Sequence, residues 1–229
     1  MDSSILLSVT LTLTEPMLGT TPGNKELATE YVASKHPSSE IQWDEQEAID
    51  QIVEEEMVKS STVFPRDAHG RPFFWDYQLK GFFKDACSML RRIRDIKEKD
   101  KVVFKGTLSS KLTSHKKVID GLVFVYPRRI ILKRPDYDHK HPSKVLPNLA
   151  FEERPIRVQT PQGERVAIAR SEFVPEGTEL GFEIEIMHPD YKKFVIEWLD
   201  YGRKRGLGQW RNSGKGRFTY TIVSDSSAQ

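Results

Sequence analysis

Residues Ile5 to Thr14 alternate strictly from Leu7 onward. Leu7, Val9, Leu11 and Leu13 fall on one side, and Ser8, Thr10, Thr12 and Thr14 on the other. A period of two with one apolar side specifies a strand buried on a single face, so the sheet it joins packs other elements against one surface only. The far end of the chain repeats the pattern, with Phe218, Tyr220 and Ile222 sharing one side of "RFTYTIV".

Two helical periods lie between these strands. From about Gln78 to Ile93, Leu79, Phe82, Phe83, Ala86, Leu90 and Ile93 recur at the spacing of one helix face, with Asp76 placed to cap it. A second helix opens at Pro189 and sets Tyr191, Phe194, Val195, Trp198 and Leu199 on one face, which puts Trp198 in the core. "GLVFVYPRRIILK" reads as one strand or two short ones broken at Pro127, and "RPIRVQT", "ERVAIARSEFV" and "TELGFEIEIM" as three more, separated by "PQG" and "PEG" turns. The order strand, helix, two or more strands, helix, strand specifies an α+β chain: a ferredoxin-like (RRM-like) antiparallel sheet with two helices on one face, elaborated by insertions. Its uncovered face, carrying Ser, Thr and the Thr219 and Thr221 pair, is the kind of surface RNA-recognition domains use.

The 229 residues fit one such domain with additions. Residues 20–72 read as an acidic helical insertion with a helix near Asp44 to Val58, 95–117 as a basic mobile arm without sustained period, and 134–153 as a loop insertion. One cysteine, Cys87, excludes a disulfide framework and suits a reducing cytoplasm. No apolar run approaches the roughly 18 residues of a membrane span, so no membrane partner is expected. No spacing of Cys, His and carboxylates marks a metal site, and no cofactor is expected.

The net charge of +2 conceals segregation. Acids dominate from Glu15 to Glu56, whereas between Asp200 and Asp225 there is no acid, and Arg203, Lys204, Arg205, Arg211, Lys215 and Arg217 all fall there. Such separation points to a polyanionic partner. The basic stretch contains "GLGQWRNSGKGRF", with Gly206, Gly208, Gly214 and Gly216. Gly206 follows Arg203, Lys204 and Arg205 in the last helical turn and stops the helix. The other three need not serve packing. Glycine presents bare N–H groups to a phosphate or ribose at contact distance, and Lys215, Arg211 and Asn212 supply donors beside them. The loop is neither a nucleotide P-loop, lacking Gly-Lys-Ser/Thr, nor a dinucleotide turn, since a strand follows it.

The spacing Gly206-Leu-Gly208, five residues, then Gly214-Lys-Gly216-Arg-Phe resembles the signature loop of the RAMP superfamily, the repeat-associated proteins of CRISPR systems. "TEPMLGT", "YQLKGFFKDACSMLR" and "EFVPEGTELGFEIEI" resemble, in order, that family's glycine turn after the first strand, the start of its first helix, and a hairpin typical of type III backbone subunits. The resemblance implies sequence-tolerant binding of single-stranded nucleic acid, RNA in that family, with subunits stacked along a guide RNA beside other copies of the chain and other subunits of an effector complex. On this reading Lys80, Lys84, Arg91, Arg205, Arg211 and Lys215 neutralise phosphates, and Trp210 stacks on a base or folds back on the core. Lys111, Lys116 and Lys117 order on RNA or on a neighbouring subunit.

Departures from the family pattern open other readings. The subunits that cut target RNA carry an aspartate soon after the first-strand glycine, but Thr, Thr, Pro, Gly and Asn follow Gly19. That argues against target cleavage by the same chemistry. A metal-independent endoribonuclease processing repeat RNA is the enzymatic alternative, and among six histidines His115 is the candidate acid. A RAMP-fold assembly protein without RNA is the third.

Overall fold

The computed structural model describes residues 4–22, 61–98, 101–137, 148–160 and 163–227. The expected helix at 44–58 and most of the acidic insertion lie outside the described residues. In chain order the elements are β1 (Ile5–Leu13), β2 (Met17–Leu18), β3 (Thr21–Pro22), β4 (Ser61–Val63), β5 (Phe73–Trp75), α1 (Asp76–Leu90), β6 (Ile96–Glu98) and β7 (Lys101–Phe104). A 3-10 turn (Leu108–Lys111), α2 (His115–Leu122), β8 (Val123–Tyr126), β9 (Arg129–Lys133), β10 (Phe151–Thr160), β11 (Gly163–Val174) and β12 (Glu179–Ile186) follow. A second 3-10 turn (Pro189–Tyr191), α3 (Lys192–Arg205), a third (Arg211–Ser213) and β13 (Phe218–Ser227) complete the chain. Where the sequence reads as one domain, the contacts group into two compact units, one of residues 1–17, 66–146 and 175–229, the other of 18–65 and 147–174.

The larger unit is α+β. Its sheet runs β13, β1, β12 and then β9 and β5, with β8 also on β12. Every pairing in it is antiparallel. β8 and β9 share one partner strand, β8 along Glu183 to Ile186 and β9 at Glu179 and Leu180, so the two short strands flanking Pro127 follow the same edge. Leu7, Val9, Leu11 and Leu13 of β1 are buried, as are Leu180, Phe182, Ile184 and Ile186 of β12. Burying each such side chain contributes about 1.5–3 kcal/mol relative to leaving it in water.

α1 buries Leu79, Phe82, Phe83, Ala86, Cys87 and Leu90, a continuous stripe at i, i+3, i+4 spacing. It starts two residues earlier than its periodicity suggests. Asp76 sits inside the first turn, and Gln78 Oε1 reaches back to accept from Trp75 N at 3.0 Å, which satisfies a free amide just ahead of the helix. The helix also stops earlier, leaving Ile93 beyond its end and 42% exposed. In α3, Trp198 is fully buried, as its spacing requires. Phe83 lies 5.7 Å from Trp198, and Phe82 meets Phe218 edge-on at 6.1 Å.

Residues 95–98 and 101–117 carry short elements. Glu197 of α3 accepts from Leu108 N at 2.6 Å, Ser109 N at 2.8 Å and Ser109 Oγ at 2.6 Å, and Ser109 Oγ in turn accepts from Trp198 Nε1 at 2.9 Å. Thr107 Oγ1 donates to Leu90 O at 2.7 Å. Elements of three to eight residues, one of them held by a carboxylate 88 positions away, leave no local period to read.

The open face of the sheet departs from the Ser/Thr surface expected. Ser8, Thr10 and Thr12 pair with Glu183, Gly181 and Glu179, and Leu6 with Glu185. Cross-strand partners share a face, so a row of carboxylates runs beside the hydroxyls, with Glu179 and Glu183 exposed. That row repels phosphates.

The smaller unit carries the β10–β11 antiparallel pair, with β4 parallel to β11 and β3 antiparallel to β4. Glu172 Oε2 accepts from Phe64 N at 2.8 Å, and buried Arg154 donates to Ser171 Oγ at 3.0 Å.

Gly202 is where α3 meets two rings. A Cβ there would stand 2.3 Å from Phe218 Cζ and 2.6 Å from Phe82 Cζ. Gly202→Val is expected to lower unfolding free energy by about 1–3 kcal/mol through overpacking, measured by urea denaturation.

Candidate nucleic-acid interface

The glycine loop leaves α3 at Gly206, whose φ of 78° and ψ of 172° lie in backbone space that essentially only glycine enters. Leu207 N then donates to Gly216 O at 2.9 Å, which brings the two arms of the loop together, and Gly216 N donates to Pro16 O at 2.9 Å. A Cβ on Gly206 would lie 2.2 Å from Lys215 O, and one on Gly216 2.0 Å from Leu207 O. Both glycines are therefore bare because backbone meets backbone inside the loop. Gly216 was expected to be free of packing duty; the pinch at Leu207 is why it is not.

The other two glycines differ. Gly208 (φ 76°) lies at the rim, and a Cβ on Gly214 (φ 89°) would meet nothing nearer than the Arg217 side chain at 3.5 Å. Trp210 also takes a positive φ, 53°, and its side chain is 40% exposed. Arg205, Gly208, Gln209, Trp210, Arg211 and Asn212 surround a cleft of about 340 Å³. Asp85 of α1 organises its charge: Arg211 Nη1 lies 2.8 Å and Arg205 Nε 3.5 Å from Asp85 Oδ2, and Arg205 Nη1 donates to Asn212 Oδ1. A guanidinium carries five donors, so each arginine commits only part of its capacity to these partners.

The expected cationic stripe on α1 is placed differently. Lys84 pairs with Asp120 Oδ1 at 2.6 Å, and Lys80 Nζ donates to Asp120 O at 3.1 Å and lies 5.1 Å from the centroid of the Phe124 ring. Burial, foremost, holds the Lys80 pKa below its usual value. Arg91 Nη1 donates to His115 Nδ1 at 2.9 Å. These three cations join α1 to α2 and are not gathered with the glycine loop. Lys111, Lys116 and Lys117 are exposed, the latter two on the outer face of α2.

His115 is buried with both ring nitrogens engaged. Since Arg91 can only donate, Nδ1 accepts; Nε2 then carries the proton and donates to Ser88 Oγ at 2.8 Å. The ring is a neutral link between helices with no nitrogen left for substrate. Among the described residues no cluster of His, Cys, Asp and Glu is arranged to hold a metal ion, and no helix is long and apolar enough to cross a membrane.

Sequence reasoning missed Asp85, which pairs with Arg205 at the end of α3 and with Arg211 in the loop, and Glu197, which anchors the 3-10 turn. An acid amid basic residues gives no linear signal of its partner. It also missed the aromatic and arginine side chains where β5, α1 and β9 meet.

No protein-family model matches the chain, and no curated protein matches it in sequence. Among solved structures, its fold is similar to that of a chain in the cryo-EM structure of the Type III-B Cmr-beta bound to cognate target RNA, with a TM-score of 0.52 at 12% identity. The likeness covers 99% of this chain and 62% of that one, so this chain spans under two thirds of its neighbour's length. At that identity the likeness is one of fold.

Two outcomes are expected. Gly206→Ala and Gly216→Ala lower the melting temperature far more than Gly208→Ala, whose cost is the roughly 1–2 kcal/mol of a side chain at positive φ. Burial and then the charge of Arg91 lower the His115 pKa below 6.5, so the unfolded chain binds the proton more readily. His115 therefore costs stability as pH falls through about 6.5 and below. In urea unfolding at pH 7.5 and 5.5, His115→Gln should lose less stability on acidification than the wild type.

Proposed function

We propose that the chain binds single-stranded nucleic acid, RNA by preference, through the open side of the glycine loop, and does so without reading sequence. The observation that carries the reading is the cleft itself. Gly208 leaves its rim low, Trp210 offers a half-exposed ring, Asn212 offers an amide, and Arg205 and Arg211 are held in place by Asp85. Arginine charge with an aromatic face is how single strands are held irrespective of base.

The strand order β13, β1, β12, β8, with α1 between β1 and β8 in sequence and α3 between β12 and β13, supports reading the larger unit as a ferredoxin-like core of the RAMP type. The likeness to a chain of a Cmr assembly bound to RNA supports the further reading that this chain is a subunit of a multi-subunit, RNA-guided complex. In that setting the exposed Lys111, Lys116 and Lys117 would offer charge to a neighbouring subunit or to RNA. The endoribonuclease reading gains nothing from His115, whose ring is consumed by Ser88 and Arg91.

The test is fluorescence anisotropy of a labelled single-stranded RNA titrated with protein at several salt concentrations. Arg211→Gln is expected to weaken binding and to reduce the slope of log K against log salt by about 0.7, one phosphate contact on a single strand. The freshly purified protein should also show an absorbance ratio at 260 and 280 nm that falls on nuclease digestion. Unchanged affinity and slope in a folded Gly208→Ala, Arg211→Gln double variant would overturn the reading.

A further inference from the structure

A second cluster of arginine and aromatic side chains lies outside the glycine loop. Trp75 closes β5 and Tyr77 opens α1; their rings stack at 5.8 Å with 22° between planes. Phe73 meets Trp75 edge-on at 4.7 Å. The Arg128 guanidinium lies 5.8 Å from the Trp75 ring centroid, and that of Arg129, the β-partner of Trp75, lies 5.5 Å from Phe73 and 5.8 Å from Trp75.

Three features separate this cluster from ordinary packing. Tyr77 is 57% exposed, so a ring already stacked on one neighbour still presents surface to solvent. Arg128 and Arg129 are both exposed, and among the described residues neither forms an ion pair with a carboxylate. Two adjacent guanidiniums repel, and the aromatic faces beneath them relieve only part of that repulsion. An anion relieves the rest. The ring contacts also restrict both side chains in advance, so less entropy is lost when a ligand arrives.

A ligand that satisfies an exposed aromatic ring and two adjacent exposed guanidiniums at one place carries a flat π-face joined to negative charge, which describes a nucleotide within a strand. We infer that Tyr77, Arg128 and Arg129 form a second nucleotide-binding point, with Tyr77 stacking a base and the arginines taking its flanking phosphates. The inference rests on the nucleic-acid reading given above and adds a contact that the glycine loop does not provide.

The experiment uses anisotropy with a labelled RNA oligonucleotide and with the same length of abasic strand, for the full chain and its variants, each checked by circular dichroism and melting. Tyr77→Ala should weaken binding of the base-bearing strand about five- to a hundredfold, the range for one lost base–aromatic stack. Tyr77→Phe should retain affinity, and the abasic strand should not distinguish Tyr77→Ala from wild type. The double variant Arg128→Gln, Arg129→Gln should reduce the salt slope by about 1.4. If the wild type binds RNA and Arg211→Gln weakens it, yet Tyr77→Ala and the double variant bind as wild type, this inference falls and the glycine-loop reading stands. If those variants instead lose only a protein partner, the cluster is a protein interface and the inference is equally overturned. If the wild type holds no RNA, both fall.

Discussion

Phe218 meets α3 at the one residue of that helix with no side chain. The ring of Phe82 enters the same gap from α1, so a strand and two helices converge on Gly202. This contact determines where α3 can end relative to β13. Four residues after Gly202 the chain must leave the helix, and the Leu207–Gly216 hydrogen bond returns it to the strand two residues before Phe218. The cleft is what remains of the loop once its two arms are joined, which is why its shape follows from packing in the core.

The division of labour among the four glycines bears on how such loops are read. Basic residues around a glycine run suggest that every missing side chain makes room for a ligand. Here Gly206 and Gly216 make room for the opposite arm of the loop, and of the four only Gly208 lines the cleft. Asp85 adds a second qualification: the arginines nearest the cleft are already partnered, so their value lies in being held still more than in unspent charge.

Much of the architecture was legible in the chain because burial imposes its period directly. Leu7 to Leu13, the Leu79 to Leu90 stripe and Trp198 all lie where alternation or helical spacing puts them. The rest was hidden for identifiable reasons. Lys80, Lys84 and Arg91 look like a solvent stripe until α2 is folded against them, and nothing in α2 announces that Asp120 and His115 will be their partners. The 3-10 turn after α1 is anchored by Glu197, a residue of a later helix. The arginine and aromatic corner is assembled from positions near 75 and near 128 through the pairing of β5 with β9, a register that no local pattern encodes. The glutamates of "TELGFEIEI" were visible as alternation, but their meaning depended on knowing that β12 occupies the centre of the sheet.

That central position has a consequence for assembly. A β-sheet with one bare side ordinarily invites a second copy to lie against it and form a sandwich. Glu179, Glu183 and Glu185 make such a stack self-opposing, since apposing two copies would bring six like charges together. The bare side is thereby kept solvated.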